Sequence, residues 1–253
     1  MYFVLLNYYS YFHLNVFISR LLNSYTLPSQ YRLLAESMIS DEWCESIRNY
    51  YINEFTDPEF PRLKFRYIKL YGYDNDTCKT MWFYLHRILN RRALINTSLK
   101  ESIVKIIEDG IYPIRLFFSA SEWSYPYLIH GLKSRRTRYL SPGIIPIESD
   151  IDIESSKVVA KTLIEKFDWN FKLVYSGNKS IHIWYYEVPG FQNIQTVEED
   201  LSFREEIFKQ VSASAPFELD RRTTVDSYRV LPVIGSLNGF TMRPVKEFQP
   251  EEL

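Results

Sequence analysis

Residues 144–240 alternate between two periodicities, and this alternation restricts the chain to a small set of folds. Short runs of continuous or alternating apolar residues predict strands, whereas apolar residues spaced by three and four predict helices. The segments predict strand, helix, strand, strand, helix and strand, in that order. This order is typical of an α+β unit whose helices cover one face of a mostly antiparallel sheet.

The predicted elements of this unit follow one another with short connections. In chain order they are the strand GIIPIESDIDI, the helix KVVAKTLIEKF capped by Ser155 or Ser156, the strands FKLVYS and IHIWYY joined by a tight turn, the charged helix VEEDLSFREEIFKQV, and TTVDSYRVLPVIGSLNG, which combines a strand with a glycine-containing loop. The βαββαβ order is similar to the architecture of an RNA-recognition motif. We therefore treat residues 111–253, which open with the probable strand IYPIRLFF, as one continuous region.

The preceding region, residues 1–110, is predicted to be mostly helical. One helix begins after the cap Ser40 and runs through WCESIRNYYINEF, and a second spans Thr77–Asn90. A third is capped by Thr97 or Ser98 and ends at Gly110.

Composition excludes several classes of protein. The 253 residues are 46% hydrophobic and 24% charged with a net charge of -1, which is the globular average and gives no overall basic field. Two cysteines are too few for a disulfide framework or a zinc site of three thiolates, so a cytoplasmic location is predicted. A metal site of Cys78, His86 and His130 is not favoured by their spacing.

The first 22 residues are apolar but resemble neither a signal peptide nor a membrane span. They include Asn7, Ser10, His13 and Asn15, and they have no basic start and no cleavage site. No window of 18 uninterrupted apolar residues occurs. A buried helix or strand is predicted there, and no membrane partner is expected.

Asp150-Ile151-Asp152 is the first group of residues that suggests chemistry. On a strand, side chains at i and i+2 point to the same face, so the two carboxylates would lie within reach of one pair of divalent ions. Two solvated acids at an exposed strand end are the alternative. The same spacing in Asp74-Asn75-Asp76 is explained by a turn and a helix cap.

The turn Ser176-Gly177-Asn178-Lys179-Ser180, followed by His182, is the second group. Backbone N–H groups, two hydroxyls, a lysine and an imidazole together suit a phosphate chain. A plain hairpin turn with one half-buried histidine explains the segment equally well.

The third group begins at Asp220 and contains three arginines, among them Arg229, before a glycine-flanked loop that includes Asn238. Surface ion pairs of little energetic value are the alternative interpretation. A basic connector, with Lys133, Arg135, Arg136 and Arg138, lies upstream of the first group. It is either a solvated loop or a phosphate contact.

In this order and at these separations, SDID, SGNKSIH and LDRRTTVDSYRVLPVIGSLNG resemble the archaeo-eukaryotic primase superfamily. The resemblance covers about residues 144–240 and implies a primase or primase-polymerase. Ser180 and Asn238 stand where cellular primase subunits have glycine and histidine, which favours a member from a mobile element. The third predicted acid, Asp220, lies where the family has its third metal ligand.

The resemblance also implies roles for individual residues. Asp150, Asp152 and Asp220 would be the catalytic ligands of two Mg²⁺ or Mn²⁺ ions. Nucleotide binding would fall to Ser176, Gly177, Lys179, His182, Arg229 and Asn238. The implied partners are single-stranded DNA as template, ribo- or deoxynucleoside triphosphates, and a primase large subunit or a helicase.

Two other function classes fit the same residues. One is a binding module, in which this fold with weakened catalytic edges serves as a replication initiator or a single-strand-binding subunit and uses aromatic side chains for stacking. The other is a nucleotidyltransferase acting on a different polymer end. Metal-dependent nucleotide incorporation separates the first from a primase, and template dependence separates the second.

Overall fold

The chain contains two four-stranded antiparallel sheets together with helices. The computed structural model describes residues 39–58, 65–85, 98–124, 126 and 138–253. This architecture confirms the α+β class. The apolar first 22 residues, His86, His130 and the connector residues 131–137 lie outside the described residues.

The helices of the described residues are α1 (Asp41–Asn49), α2 (Leu99–Glu108), α3 (Ile153–Lys166), α4 (Val197–Ser212) and α5 (Arg221–Val225), with a π-helix (Tyr50–Glu54) and 3₁₀ turns (Phe191–Asn193 and Pro250–Glu252). The strands are β1 (Ile68–Asp74), β2 (Lys79–Tyr84), β3 (Ile111–Ser119), β4 (Glu122–Trp123), β5 (Tyr139–Ser141), β6 (Ile145–Glu148), β7 (Asn170–Tyr175), β8 (Ile181–Tyr186), β9 (Val230–Pro232), β10 (Leu237–Asn238), β11 (Arg243–Pro244) and β12 (Lys246–Phe248).

The first sheet has the order β2-β1-β3-β9 and the second has the order β12-β7-β8-β6. Two short pairs, β4–β5 and β10–β11, complete the strands of the described part. All pairings in both sheets are antiparallel. The first sheet therefore joins strands from residues 1–110 to strands from residues 111–253.

Helix caps account for three predicted helices. The Ser40 side chain accepts a hydrogen bond from the Trp43 N–H and begins α1. Ser98 and Thr196 begin α2 and α4 with reciprocal capping boxes that satisfy N–H groups at each helix start. The glycine after α2, Gly110, has a φ of 80° and ends the helix as predicted.

The helix predicted over Thr77–Asn90 is wrong within the described residues, because residues 79–84 form β2. In β2, Thr80 and Trp82 face one side of the sheet, and Phe83 on the other side packs against the core. Alternating aromatic and β-branched residues suit a strand, and pairing with β1 outweighs the apolar spacing that suggested a helix. Residues 86–90 of that prediction lie outside the described residues.

The predicted strand GIIPIESDIDI ends at Glu148 and does not include either aspartate of the first group. Helix α3 begins at Ile153, and its cap is Asp152, in place of Ser155 or Ser156. The Asp152 carboxylate accepts hydrogen bonds from the Ser155 N–H and hydroxyl. An aspartate at this position satisfies the free N–H groups of the helix start, so the chain leaves the strand before it.

The last predicted strand of the βαββαβ unit joins the other sheet. Residues 230–232 form β9, which pairs with β3 in the first sheet. The outer position of the second sheet is filled by β12, which pairs with β7. Residues near β9 therefore connect the two sheets.

Two hydrophobic clusters account for most of the core. Helices α3 and α4 cover one face of the second sheet through Val159, Leu163 and Ile207. The opposite face packs towards the first sheet, where the Trp184 and Phe118 rings meet edge to face at 5.5 Å. The second sheet is thus buried on both faces, which fixes the relative position of the strand ends described below.

Arg204 and Asp200 are two fully buried charged residues of α4. The Arg204 guanidinium pairs with Asp200 at 2.9 Å, and both side chains have 0% exposure. It also donates to the carbonyl oxygens of Pro142 at 2.8 Å and Ile144 at 3.1 Å. One side chain thus holds α4 against the segment that leads into β6.

We expect Arg204→Met to lower the free energy of unfolding by about 3–5 kcal/mol, because the substitution leaves the Asp200 charge buried and unpaired. Arg221, whose side chain is 58% exposed and pairs with Glu205, supplies the matched control, and Arg221→Met should cost at most about 1 kcal/mol. Urea unfolding followed by circular dichroism measures both values. Adding Asp200→Asn to Arg204→Met should restore part of the loss, and equal losses in the two single variants would contradict the prediction.

Candidate functional site

An open pocket of about 500 Å³, including space open to solvent, lies where the two sheets meet. Its wall comprises two residues of β3, two acidic residues at and after the end of β6, the β7–β8 turn, one residue of β8, and β9 with the residue before it. The polar and charged members are Arg115, Glu148, Asp150, Ser176, Asn178, Lys179, Ser180, His182 and Arg229. The pocket therefore brings together members of all three groups identified in the sequence.

The β7–β8 turn has the geometry predicted for a hairpin. The Ser176 N–H donates to the Ser180 carbonyl at 3.0 Å, and the hydroxyls of the two serines lie 3.2 Å apart. Gly177 has a φ of 77°, and a Cβ there would lie 2.9 Å from the Arg243 carbonyl oxygen and from the Asn238 Cβ. Glycine is required at this position both by its backbone conformation and by close packing.

His182 on β8 and Glu148 on β6 lie next to each other, because they are directly opposite partners on neighbouring strands. The His182 Nε2 lies 3.1 Å from a Glu148 carboxylate oxygen, and both side chains are buried. The Ser180 hydroxyl donates to the same carboxylate at 3.1 Å, and the Thr223 hydroxyl contacts its other oxygen at 3.2 Å. The His182 Nδ1 is buried and has no hydrogen-bond partner within the described part of the chain.

The surroundings of Glu148 keep it ionised. Burial by itself raises the pKa of the Glu148 carboxyl. The His182 ring, the Arg229 guanidinium and the Ser180 hydroxyl outweigh burial and hold that pKa below its usual range. Glu148 therefore contributes a negative charge to the lining of the pocket.

Asp150 and Lys179 form the second charged pair of the pocket. The Lys179 Nζ lies 3.0 Å from an Asp150 carboxylate oxygen and 2.5 Å from the Asp150 backbone oxygen. Burial and the nearby Glu148 raise the pKa of Asp150, and Lys179 opposes both effects. The lysine predicted to bind phosphate is thus held against an acid predicted to bind metal.

The other two predicted metal ligands begin helices and do not line the pocket. The carboxylate of Asp152 caps α3. Asp220 caps α5 by accepting from the Arg222 N–H and the Thr223 hydroxyl, both at 2.9 Å. Its own N–H donates to the Glu148 carbonyl at 2.8 Å, so its backbone lies beside the end of β6.

The residues present do not form the predicted metal site in this arrangement. No set of three or more histidine, cysteine, aspartate or glutamate side chains within the described ranges is placed to hold a metal ion. Both oxygens of Asp152 and of Asp220 accept hydrogen bonds from helix starts, and Asp150 is paired with Lys179. A role for the three acids in holding two ions stays a prediction.

Two predicted nucleotide-binding residues occupy different positions. Arg229 lines the pocket, with its guanidinium 3.9 Å from the Glu148 carboxylate and its Nε buried without a partner among the described residues. Asn238 is buried behind the turn, where its Cβ lies against Gly177 and its side-chain oxygen accepts from the Phe240 N–H at 3.3 Å. Asn238 thus supports the turn and is not part of the pocket wall.

Three residues of the pocket, Glu148, Arg115 and Phe117, belong to none of the three sequence groups. Glu148 lies in an isoleucine-rich strand, and only its register opposite His182 distinguishes it from a surface acid. Arg115 and Phe117 belong to β3, at some distance in the sequence from the three groups. The run IYPIRLFF contains one charge in an apolar strand, and this was the available signal.

The pocket has an excess of positive charge. It contains three permanent cations, Arg115, Lys179 and Arg229, and two carboxylates, those of Glu148 and Asp150. Burial lowers the pKa of Arg115, and the nearby Glu148 partly offsets this effect. Together with the hydroxyls of the turn, these groups can bind a multiply charged anion such as a phosphate chain.

Comparison with known proteins supports the fold. No protein-family model matches the chain, and no curated protein matches it. A solved structure, the polymerase domain from Mycobacterium tuberculosis Ligase D in complex with DNA, is similar with a TM-score of 0.51 and 10% sequence identity. The match covers 82% of this chain and 81% of that chain. The chain thus has a fold like that of a polymerase domain.

Proposed function

We propose that this chain is a primase or primase-polymerase, which binds a nucleoside triphosphate in the pocket and adds nucleotides on a single-stranded DNA template. The pocket itself is the main support. It sets three cations and a histidine around the serine-lined turn, in a fold like that of a polymerase domain. The order of the three sequence groups agrees with this function.

The proposed reaction transfers a nucleotide to a growing strand. The 3′-hydroxyl oxygen forms a bond to the α-phosphorus, the bond from that phosphorus to the bridging oxygen breaks, and pyrophosphate leaves. The hydroxyl proton passes to solvent. Lys179, Arg229 and Arg115 offset charge on the phosphates. The Ser176 hydroxyl supplies a hydrogen bond to them, whereas the Ser180 hydroxyl donates to Glu148.

Glu148 acts as a positioning residue in this proposal. Its carboxylate contacts His182, Ser180 and Arg229, so three groups of the pocket wall share one anchor. A requirement for Mg²⁺ or Mn²⁺ is proposed on the family resemblance alone. A large subunit or a helicase as a partner is proposed on the same ground.

A binding module without catalytic activity is the second candidate, and one observation favours it. The carboxylates predicted to hold metal ions are engaged with helix starts or with Lys179. A protein of this kind would bind nucleotide or DNA and add no nucleotides. Nucleotide incorporation therefore separates the two candidates.

We expect Lys179→Met to weaken ATP binding by about 10- to 150-fold, since it removes a charge-assisted hydrogen bond worth about 1.5–3 kcal/mol. Lys172 on the adjacent strand is the matched control, because it pairs with Glu247 at 2.6 Å and does not line the pocket. Isothermal titration calorimetry with ATP, with and without Mg²⁺, measures both variants. Unchanged binding in Lys179→Met, or equal losses in the two variants, would contradict the assignment.

We expect Asp150→Asn to abolish nucleotide addition, because the family resemblance makes this pocket residue a catalytic carboxylate. The fold should stay intact, because the Asp150 side chain is 31% exposed and lies between β6 and α3. The assay supplies a single-stranded template, all four NTPs or all four dNTPs, no primer, and Mg²⁺ or Mn²⁺. Asp168→Asn, outside the pocket wall, is the control and should retain activity. Full activity in Asp150→Asn, with its fold verified by circular dichroism, would contradict a catalytic role for Asp150.

The same assay assigns Asp152. Asparagine caps helices about as well as aspartate, so Asp152→Asn keeps the start of α3 and removes only the charge. Loss of activity would assign Asp152 to the chemistry, as the resemblance implies. Retained activity would leave it as a helix cap.

A further inference from the structure

A threonine of α5 contacts the buried acid of the pocket. The Thr223 side chain has 0% exposure, and its hydroxyl lies 3.2 Å from one oxygen of the Glu148 carboxylate. The same hydroxyl lies 2.9 Å from a carboxylate oxygen of Asp220. Thr223 is not part of the pocket wall. An effect of Thr223 on a bound ligand would therefore pass through Glu148.

The two oxygens of the Glu148 carboxylate have different partners. Oε1 contacts the His182 Nε2 and the Ser180 hydroxyl, both at 3.1 Å. Oε2 lies 3.2 Å from the Thr223 hydroxyl and 3.9 Å from the Arg229 guanidinium, and the second distance is too long for a hydrogen bond. Among the residues that the structure describes, Thr223 is thus the donor of the hydrogen bond to Oε2.

The rigid carboxylate of Glu148 connects these two sides. Its atoms lie in one plane, so a hydrogen bond that fixes Oε2 also fixes the direction of Oε1. Because Glu148 is ionised, its oxygens can only accept hydrogen bonds. A hydrogen bond with His182 therefore requires a proton on Nε2, while the buried Nδ1 has no partner within the described ranges.

The neighbouring threonine, Thr224, is buried to the same extent but contacts different atoms. Its hydroxyl donates to the Pro146 carbonyl oxygen of β6 at 3.0 Å. The Asp220 N–H donates to the Glu148 carbonyl oxygen at 2.8 Å. Both of these bonds hold α5 against the backbone at the end of β6, and neither involves the Glu148 carboxylate. Thr223 and Thr224 thus separate the position of the helix from the position of the carboxylate.

We propose that Thr223 is a positioning residue, whose hydroxyl aims the Glu148 carboxylate at His182 and so keeps the histidine ring in place in the pocket. Without the hydroxyl, Oε2 would be a buried, charged oxygen with no hydrogen-bond donor, which is costly. A turn towards the Arg229 guanidinium would restore a donor, and it would carry Oε1 away from His182. The alignment of His182 does not depend on a nucleotide, whereas its consequence for ATP binding rests on the proposed function.

The test detects the ring N–H groups of the histidines by NMR, in the full chain labelled isotopically at histidine. The chain has four histidines, and His182→Gln identifies the signal of His182 by its absence. A buried ring N–H in a hydrogen bond exchanges slowly with water and is observed, whereas one that has lost its partner exchanges faster. We expect the unaltered protein to show a signal from the His182 Nε2–H.

We expect Thr223→Val to lose this signal and Thr223→Ser, which keeps the hydroxyl, to retain it. Thr224→Val is the matched control and should retain the signal, because the Thr224 hydroxyl contacts the backbone and not Glu148. Thermal unfolding verifies that each variant is folded, and Thr223→Ala replaces Thr223→Val if that variant does not fold. A signal retained in Thr223→Val, lost equally in Thr224→Val, or absent from the unaltered protein would overturn the proposal.

ATP binding, measured by calorimetry, gives the second readout. Thr223→Val should weaken it by about 2- to 30-fold, the range for residues that act on a ligand through others. Thr223→Ser and Thr224→Val should bind ATP like the unaltered protein. Full ATP affinity in Thr223→Val, together with loss of the His182 signal, would overturn the effect on the ligand. If Lys179→Met keeps full ATP affinity while Thr223→Val loses the signal, the pocket assignment fails and the role of Thr223 in aligning His182 stands.

Discussion

The buried carboxylate of Glu148 is the interaction on which the arrangement of the pocket depends. Removing an ionised carboxylate from water is costly unless cations and hydrogen-bond donors replace the lost solvent. His182, Ser180, Thr223 and Arg229 supply that replacement, and they come from β8, from the turn before it, from α5 and from the segment entering β9. One charge therefore sets the positions of groups from both sheets.

Within the described residues, no helix is long or apolar enough to cross a membrane.

Local signals in the sequence predicted the elements whose ends depend on nearby residues. The capping boxes at Ser98 and Thr196 and the turn from Ser176 to Ser180 each form from residues a few positions apart, so a short window contains all the information. The β7–β8 hairpin, with its two serines and Lys179 in one turn, was predictable for this reason. The same window predicted the strand that carries His182, and alternation along a strand sets the His182 ring on the face opposite to Ile181 and Ile183.

Contacts between distant segments account for the predictions that were wrong. The residues of β2 have apolar spacing that fits a helix, but pairing with β1, which in turn pairs with β3, decides their conformation. The strand leading to Asp150 ends at Glu148 because Asp152 caps the next helix, which a pattern of alternating isoleucines does not reveal. Glu148 and Arg115 gain their importance only from partners far along the chain.

The ion pair between Lys179 and Asp150 would connect the proposed binding of an anion to the charge of the Asp150 carboxyl. A phosphate chain bound as proposed would compete with Asp150 for the same ammonium group, since Lys179 and Asp150 already form an ion pair at 3.0 Å. Separation leaves a partly buried carboxylate without its cation, and burial already raises the pKa of that carboxyl. The Asp150 carboxylate, once separated from Lys179, would be stabilised most by a new positive charge nearby or by binding a proton. In either of the two proposed functions, this one pair would therefore couple the binding of an anion to the charge of Asp150.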